Sequence, residues 1–328
     1  MQIIVPAAAH PSEALQQARN ALELPALHAL LQRSAAPQWI AGDDSSLSPL
    51  SEQLHAQALA LEGADGLLPW AARAAQSQGL DARAPGWAWI TPCHWRVHSD
   101  HVYMDDPERL RLTRGDADAL LRDMQPFFAA DGITLYPTHD ADAACVRWLA
   151  HGSVLAGLPT ASLERVRAAS VDAWMPRQAQ AKGLRRLQNE MQMLLYTHPV
   201  NAARAHAGQL PVNAFWVSGT GTLSGAARAD TQPVTLVQTL RSHALSDDAQ
   251  GWSQAWTALD SGVLADALHS ALAATQINAQ RQSALSVTLC GPRNAWRLTA
   301  QRLDFWQQLR RRLRPLDERA LLARLDSA

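Results

Sequence analysis

The densest run of residues able to recognise a polar ligand lies between Gln188 and Gly221. Gln188, Asn189, Glu190 and Gln192 are followed by His198, Asn201, Arg204 and Asn213, and then by Phe215-Trp216-Val217-Ser218-Gly219-Thr220-Gly221. A strand ending in Ser-Gly-Thr-Gly turns backbone N–H groups outward at the carboxyl edge of a sheet, where phosphates and small ligands commonly bind. Amides and one guanidinium beside such a turn can pair a polar or anionic ligand. Asn189, Asn201, Arg204, Asn213, Ser218, Gly219 and Gly221 are therefore the candidate ligand-binding set. The same residues also suit a plainer part, a tight turn with amides that hold their own loops together.

Metal chemistry has two candidate stretches. His94, His98, Asp100 and His101 fall within eight residues, and on an extended strand His94 and His98 share a face; a turn at His98-Ser99-Asp100 then redirects Asp100 and His101, so exposed hairpin histidines are the expectation. Thr138-His139-Asp140-Ala141-Asp142 is rich in hard ligands but also reads as a polar turn between strands. No metal site is expected, with His94, His98, His139 and Asp140 the residues that would argue otherwise. The sequence has no GxSxG elbow, Walker A loop or HExxH pair, so no catalytic residue is assigned and no cofactor is expected. Near the end, Arg302, Arg310, Arg311, Arg312, Arg314, Arg319 and Arg324 flank Leu303, Trp306, Leu309 and Leu313, the pattern of a basic amphipathic helix; a solvated helix packed through its apolar stripe is the expectation, with a nucleic-acid or partner surface the alternative.

The chain has 328 residues, 47% of them hydrophobic, enough for two domains or for one large domain with an insertion. Lys and Arg number 29 against 30 Asp and Glu, a formal charge of −1, which supplies no global field toward nucleic acid or an anionic membrane. Lys182 is the sole lysine, and so arginine-rich a chain reads as coding bias before it reads as selected guanidinium sites. Cys93, Cys145 and Cys290 are an odd number without CxxC spacing, which fits reduced thiols in a cytoplasm. Ile3-Ile4-Val5 is short, lacks a basic flank and breaks at Pro6, so neither a signal peptide nor a membrane span is expected.

The elements that must position these residues follow from periodicity. Ile3 to Val5 predicts a buried first strand, and Pro11 to Arg33 predicts two helices broken at Pro25. A weak strand is expected at Gln38 to Ala41, and helical sequence from Leu47 to Gln78 is interrupted near Gly63 and Gly66. After Ala84-Pro85-Gly86 the residue types turn aromatic and β-branched, giving a hairpin turning at His98-Ser99-Asp100. Thr113, with Asp116 three residues on, caps an amphipathic helix through Phe128, and strands follow at Gly132 to Pro137 and Ala144 to Leu149. Residues 86–150 are thus expected as an inserted β-β-α-β-β subdomain, with 1–85 and 151–328 forming a discontinuous α/β main domain. Leu184 to Thr197 is the clearest later helix; Ala214 to Val217, Val234 to Leu240 and Ser286 to Cys290 read as buried strands of a mostly parallel sheet flanked by helices.

Several blocks carry a family resemblance. Arg186 to Leu195, His198-Pro199-Val200-Asn201, Pro211 to Gly221, Thr91 to Trp95 and Gly157 to Leu163 resemble the RpfE-type family of bacterial regulatory proteins. That resemblance implies a regulatory label without a biochemical activity. His198-Pro199-Val200-Asn201, Arg204, Gly208, Pro211, Asn213 and Ser218-Gly219-Thr220-Gly221 are more distantly similar to the archaeal-type cofactor-independent phosphoglycerate mutases of the alkaline phosphatase superfamily. This second resemblance implies an alkaline phosphatase-like fold. It also implies a metal-binding aspartate just after the first strand, where this chain has Pro6-Ala7-Ala8-Ala9, and Ser218 stands where the enzymes have arginine. Without that carboxylate a two-metal phosphoryl-transfer centre lacks a charge-balancing ligand. The expectation is a phosphoglycerate mutase-like pseudoenzyme that binds a small polar or anionic ligand or a protein partner, with neither membrane nor nucleic acid as partner. The alternative is a metal-dependent phosphoryl-transfer enzyme of the cofactor-independent phosphoglycerate mutase type.

Overall fold

The computed structural model describes residues 1–34, 36–138, 145–223, 232–277, 285–300 and 316–326. His139, Asp140 and most of the basic helix expected around Arg302 to Arg314 lie outside the described residues. In order, the chain runs β1 (Gln2–Val5), α1 (Glu13–Asn20), α2 (Pro25–Gln32), β2 (Gln38–Ile40), α3 (Leu50–Ala58), α4 (Trp70–Ser77), β3 (Trp87–Cys93), β4 (Trp95–Val97), β5 (Val102–Met104), α5 (Arg114–Ala130), β6 (Thr134–Pro137) and β7 (Trp148–His151). It continues through α6 (Leu163–Val166), β8 (Ala169–Ser170), α7 (Lys182–Tyr196), α8 (Pro199–His206), β9 (Ala214–Gly221), β10 (Val234–Leu236), α9 (Thr239–Leu245), α10 (Ala249–Leu259), α11 (Ala265–Ile277), β11 (Ser286–Cys290), β12 (Ala295–Thr299) and α12 (Glu318–Asp326). No described helix is long and apolar enough to cross a membrane. The chain divides into two compact units, one of residues 1–44, 50–60 and 228–328 and one of residues 45–49 and 61–227.

The first unit is built on a sheet ordered β10-β1-β11-β12-β2. β1 lies parallel to both β10 and β11, while β11–β12 and β12–β2 are antiparallel. The uninterrupted Ile3-Ile4-Val5 run is explained by burial on both faces. Ile3 and Val5 pack into the core that α1, α2 and α10 cover, and Ile4 meets Leu54 of α3. The expected mostly parallel sheet is therefore corrected to a mixed one. The cause is the tight connection after β11, where the Gly291 N–H donates to the Asn294 carbonyl at 2.9 Å and returns the chain as β12. So short a connection can only join antiparallel strands.

The second unit holds an antiparallel sheet ordered β6-β7-β3-β9 and a three-stranded sheet ordered β4-β5-β8. Alternation assigns the faces of the larger sheet. Ala88, Ile90, Trp148, Ala150, Phe215 and Val217 join a core with α5 and α7, while Trp87, Trp89 and Leu149 pack with Ala71, Ala72 and Ala75 of α4. Residues 86–150 thus do not close on themselves. β9 runs beside β3 from Trp87↔Gly221 to Cys93↔Ala214, so the fourth strand comes from far along the chain, and the covering helices α4, α7 and α8 lie outside the expected boundaries. The strand expected at Ala214 to Val217 belongs to this sheet and not to the one containing β1. The Thr113 cap does form, its hydroxyl accepting from the Asp116 N–H at 3.1 Å.

Candidate functional site

Pro199 ends α7 and begins α8, because a proline is tolerated at a first helical position, where its missing N–H would have had no partner. His198 caps the new helix: its Nδ1 accepts from the Val200 N–H at 3.2 Å. The ring proton then sits on Nε2, which faces Asp123 Oδ2 at 3.0 Å. Asp123 also accepts from Arg122 Nε at 2.9 Å, and these two partners, the arginine first, hold its carboxyl below the ordinary range. A histidine–aspartate pair of this kind resembles the orienting half of a catalytic triad, but the nitrogen that would act as base is occupied by the backbone.

The polar residues downstream are engaged in the same way. Asn201 donates to the carbonyls of Leu195 at 2.7 Å and Val212 at 2.6 Å and accepts from the Val212 N–H at 2.8 Å. Asn213 accepts from the Trp95 N–H at 2.7 Å and donates to the Trp95 carbonyl at 2.8 Å. Each amide thus pairs the N–H and C=O of one residue as a neighbouring strand would. Arg204, 2% exposed, donates to the carbonyls of Leu210 at 2.8 Å and Leu110 at 2.5 Å, with Asp116 at 3.6 Å balancing its charge.

The Ser218–Gly221 stretch is strand, not the expected loop. Ser218 is buried, and the glycines answer to close packing: a Cβ on Gly219, at φ +66°, would lie 2.7 Å from the Trp89 ring, and one on Gly221, at φ +144°, would strike the Leu67 carbonyl. Thr220 between them is bonded to the Leu158 carbonyl at 2.7 Å and the Gly66 carbonyl at 3.0 Å. At about 3.3 Å per residue, Gly221 stands roughly 26 Å along the strand from Asn213. The structure therefore brings Asn201, Arg204 and Asn213 together at the amino end of β9 and leaves Ser218, Gly219 and Gly221 at the other end. Asn189 is apart from both, exposed on the outer side of α7. The seven candidates do not line one pocket.

The histidines near the hairpin also separate. His94 Nδ1 lies 2.8 Å from the Pro211 carbonyl, while His98 stacks on His101 with centroids 4.7 Å apart and His101 is held by Asp100. At the carboxyl end of β1, Ala8 and Ala9 are buried and the Ala8 N–H donates to the Cys290 carbonyl at 2.8 Å, so methyl groups occupy the place of the implied aspartate. His10 follows, accepting from the Ser12 N–H at 3.3 Å, and the Ser12 hydroxyl donates to Asp247. Among the described residues no three His, Cys, Asp or Glu side chains converge to hold a metal, and Pro6 to Ala9 at the end of β1 supply no carboxylate to the two-metal centre that the resemblance implies. Burial raises all three thiols, Cys290 to about 12, which keeps them protonated near neutral pH.

One charged cluster escaped the sequence reading. Arg167, 4% exposed, contacts Asp106 at 2.8 Å, Glu108 at 2.5 Å and Glu164 at 3.7 Å. Glu164 three residues before it on a helix was a legible signal; Asp106 and Glu108, about 60 residues away, were not.

No family model and no curated protein matches the chain, so the RpfE-type resemblance rests on the sequence blocks alone. Among solved structures, a cofactor-independent phosphoglycerate mutase from Thermoplasma acidophilum DSM 1728 is 16% identical, with 92% of this chain and 90% of that chain covered and a TM-score of 0.33. The PH0037 protein from Pyrococcus horikoshii is 12% identical, with coverages of 94% and 91% and a TM-score of 0.44. Neither likeness transfers a residue role to this chain.

Proposed function

We propose that this chain is a non-catalytic regulatory protein of the RpfE type, a phosphoglycerate mutase-like pseudoenzyme that acts by contacting another molecule. The observation that carries the reading is the use made of Asn201, Arg204 and Asn213. These residues fall in the blocks that resemble phosphoglycerate mutases, yet here each is bonded to its own backbone, and Asn201 and Arg204 are buried. A side chain that already satisfies buried carbonyls cannot turn to a substrate without leaving them unpaired, at about 1–3 kcal/mol each. In that unit the Nδ1 of His198 is taken by the Val200 N–H, and burial holds the Cys93 and Cys145 thiols protonated.

The test is turnover and binding measured together. Purified protein is assayed against phosphoglycerates and a general phosphoester with added Mg²⁺, Mn²⁺ or Zn²⁺, while thermal melts are recorded with the same phosphorylated metabolites. The expected result is no metal-dependent turnover and no metabolite-dependent shift of the melt. Metal-dependent release or migration of phosphate would replace this reading with the phosphoryl-transfer enzyme. A melt shift by one metabolite without turnover would keep the protein non-catalytic and identify its ligand.

A further inference from the structure

α7 is 15 residues long, about 22 Å. Its inner stripe, Leu184, Leu187, Gln188, Met191 and Leu195, is buried in the second unit. On the opposite side Lys182, Arg186, Asn189, Met193 and Tyr196 are all exposed, at successive spacings of four, three, four and three residues. That is the spacing of a seam between two packed helices. Met193 and Tyr196 are 74% and 86% exposed, the values expected of lysine or glutamate and not of a thioether and an aromatic ring. α5 lies alongside in the opposite sense, with Asp131 paired to Arg186 and Asp123 to His198, and it adds the half-exposed Phe127 to the same side.

The charge pattern says what covers this seam. The first turn of α7 carries Lys182, Arg185 and no acid, and its last turn carries no base, the reverse of what the helix dipole favours. Arg185 is compensated by donating to the Pro176 carbonyl at 2.7 Å, whereas the Lys182 ammonium has no hydrogen bond or ion pair among the described residues. A second α7 laid antiparallel along the seam corrects the reversal, because the basic start of each helix then meets the carbonyl end of the other. With the two-fold axis at Asn189, Lys182 stands opposite the partner's Tyr196 as a cation over an aromatic face, Arg186 stands opposite the partner's Met193, and the two Asn189 amides pair on the axis. A seam basic at one end and aromatic at the other is complementary to itself only in this sense.

We propose that the exposed face of α7 is a homodimer interface, with two copies of this chain packed through antiparallel α7 helices about Asn189. This goes beyond the regulatory reading and does not depend on it. Two helices of this length make a small contact, below about 1,200 Å² in total, so association in the micromolar range is expected.

Sedimentation equilibrium of the full chain from about 2 to about 200 µM tests it. The expected result for wild type is a monomer that gives way to a dimer across this range. Tyr196→Lys sets two cations opposite each other and is expected to weaken the dimer at least tenfold. Adding Lys182→Glu to that variant places an introduced glutamate against each introduced lysine and is expected to restore dimerisation, a rescue that a folding defect cannot give. In a separate variant, Asn189→Cys, helix axes about 8–10 Å apart bring the two introduced thiols within disulfide reach on the two-fold axis, so mild oxidation is expected to give a covalent dimer. A wild type that stays monomeric at the highest concentration, a double variant that does not recover, or an Asn189→Cys chain that does not cross-link overturns the proposal.

Discussion

At the scale of single residues, the side chains most suggestive of recognition are the ones most engaged in holding the chain. Arg204 bridges two carbonyls from separate segments, Leu110 before α5 and Leu210 after α8, and does so almost fully buried. Arg204→Ala would leave both carbonyls and the nearby Asp116 without it, so a loss of about 3 kcal/mol is expected. Arg204→Lys keeps the charge but not the fork that reaches both carbonyls, and is expected to recover less than half of that loss. Denaturant unfolding of the three proteins measures this; a variant as stable as wild type would show the guanidinium free for a ligand after all. Asn213→Ala is expected to cost about 1–3 kcal/mol by leaving the N–H and C=O of Trp95 unpaired. Asn213→Asp should recover part of it, since a carboxylate can still accept from that N–H but cannot donate to the carbonyl. Melts of both variants, with and without phosphorylated metabolites, are expected to fall by the same amount in either condition.

At the scale of elements, polar side chains finish what the backbone leaves open. Gln125 of α5 accepts from the Leu135 N–H at 2.8 Å and donates to the Ile133 carbonyl at 3.3 Å, covering the outer edge of β6 as Asn213 covers β4. Edge strands left bare are prone to pair with other chains, and a side-chain amide on each is one way to blunt them. The N-terminus of α2 is completed from a distance. Leu24 precedes it without a side-chain cap, and Asp260, in a π turn after α10, accepts from the N–H groups of Ala26 at 2.9 Å and Leu27 at 2.8 Å. Burial pushes the Asp260 carboxyl above its ordinary range, against the pull of these two donors, and the nearby Glu318 adds to the rise. A carboxyl raised in this way binds its proton more tightly folded than unfolded. Its contribution is therefore most favourable below the ordinary aspartate value of about 3.9, declines as pH rises to the raised value, and is flat above it. Asp260→Asn removes the titration, so the stability of wild type relative to this variant is expected to fall with rising pH across that window. Unfolding measured between about pH 3 and pH 8 tests it, and a relative stability that climbs instead would mean the two hydrogen bonds outweigh burial.

At the scale of the whole molecule, the second unit has what an independent domain needs. Among the described residues its strands pair with one another, and its cores are drawn from residues 47–223. The short stretch 45–49 is tied in by the Leu47 and Ser48 N–H groups donating to Asp65 at 2.7 and 3.0 Å and by the Ser162 N–H donating to the Leu47 carbonyl at 2.9 Å. A fragment of residues 61–227 is expected to fold with a cooperative melt, at a lower temperature than the corresponding transition of the full chain because it lacks that tie. Circular dichroism of the fragment is the check, and a non-cooperative melt would mean the unit depends on residues 1–44 and 228–328.

Local periodicity determined the elements that a residue's own neighbours can specify. β1, the capped α5, the amphipathic α7 and the break at Pro199 were all legible, because burial of one stripe, satisfaction of one end and loss of one N–H are decided within a few residues. The sequence also marked Asn201, Arg204 and Asn213, within its densest polar stretch, as groups that pair either a ligand or their own loops. What they pair with was decided only in three dimensions. Asn213 meets Trp95 118 residues away, and Arg204 meets Leu110 94 residues away, contacts no spacing rule contains. The partner of β3 is likewise a long-range fact: β9 reads as a buried apolar run that would suit either sheet, and its pairing with β3 is what moves the unit boundary from the expected 86–150 to 61–227. Composition can require that a buried polar group be satisfied, but tertiary packing alone chooses between a ligand and the chain's own backbone.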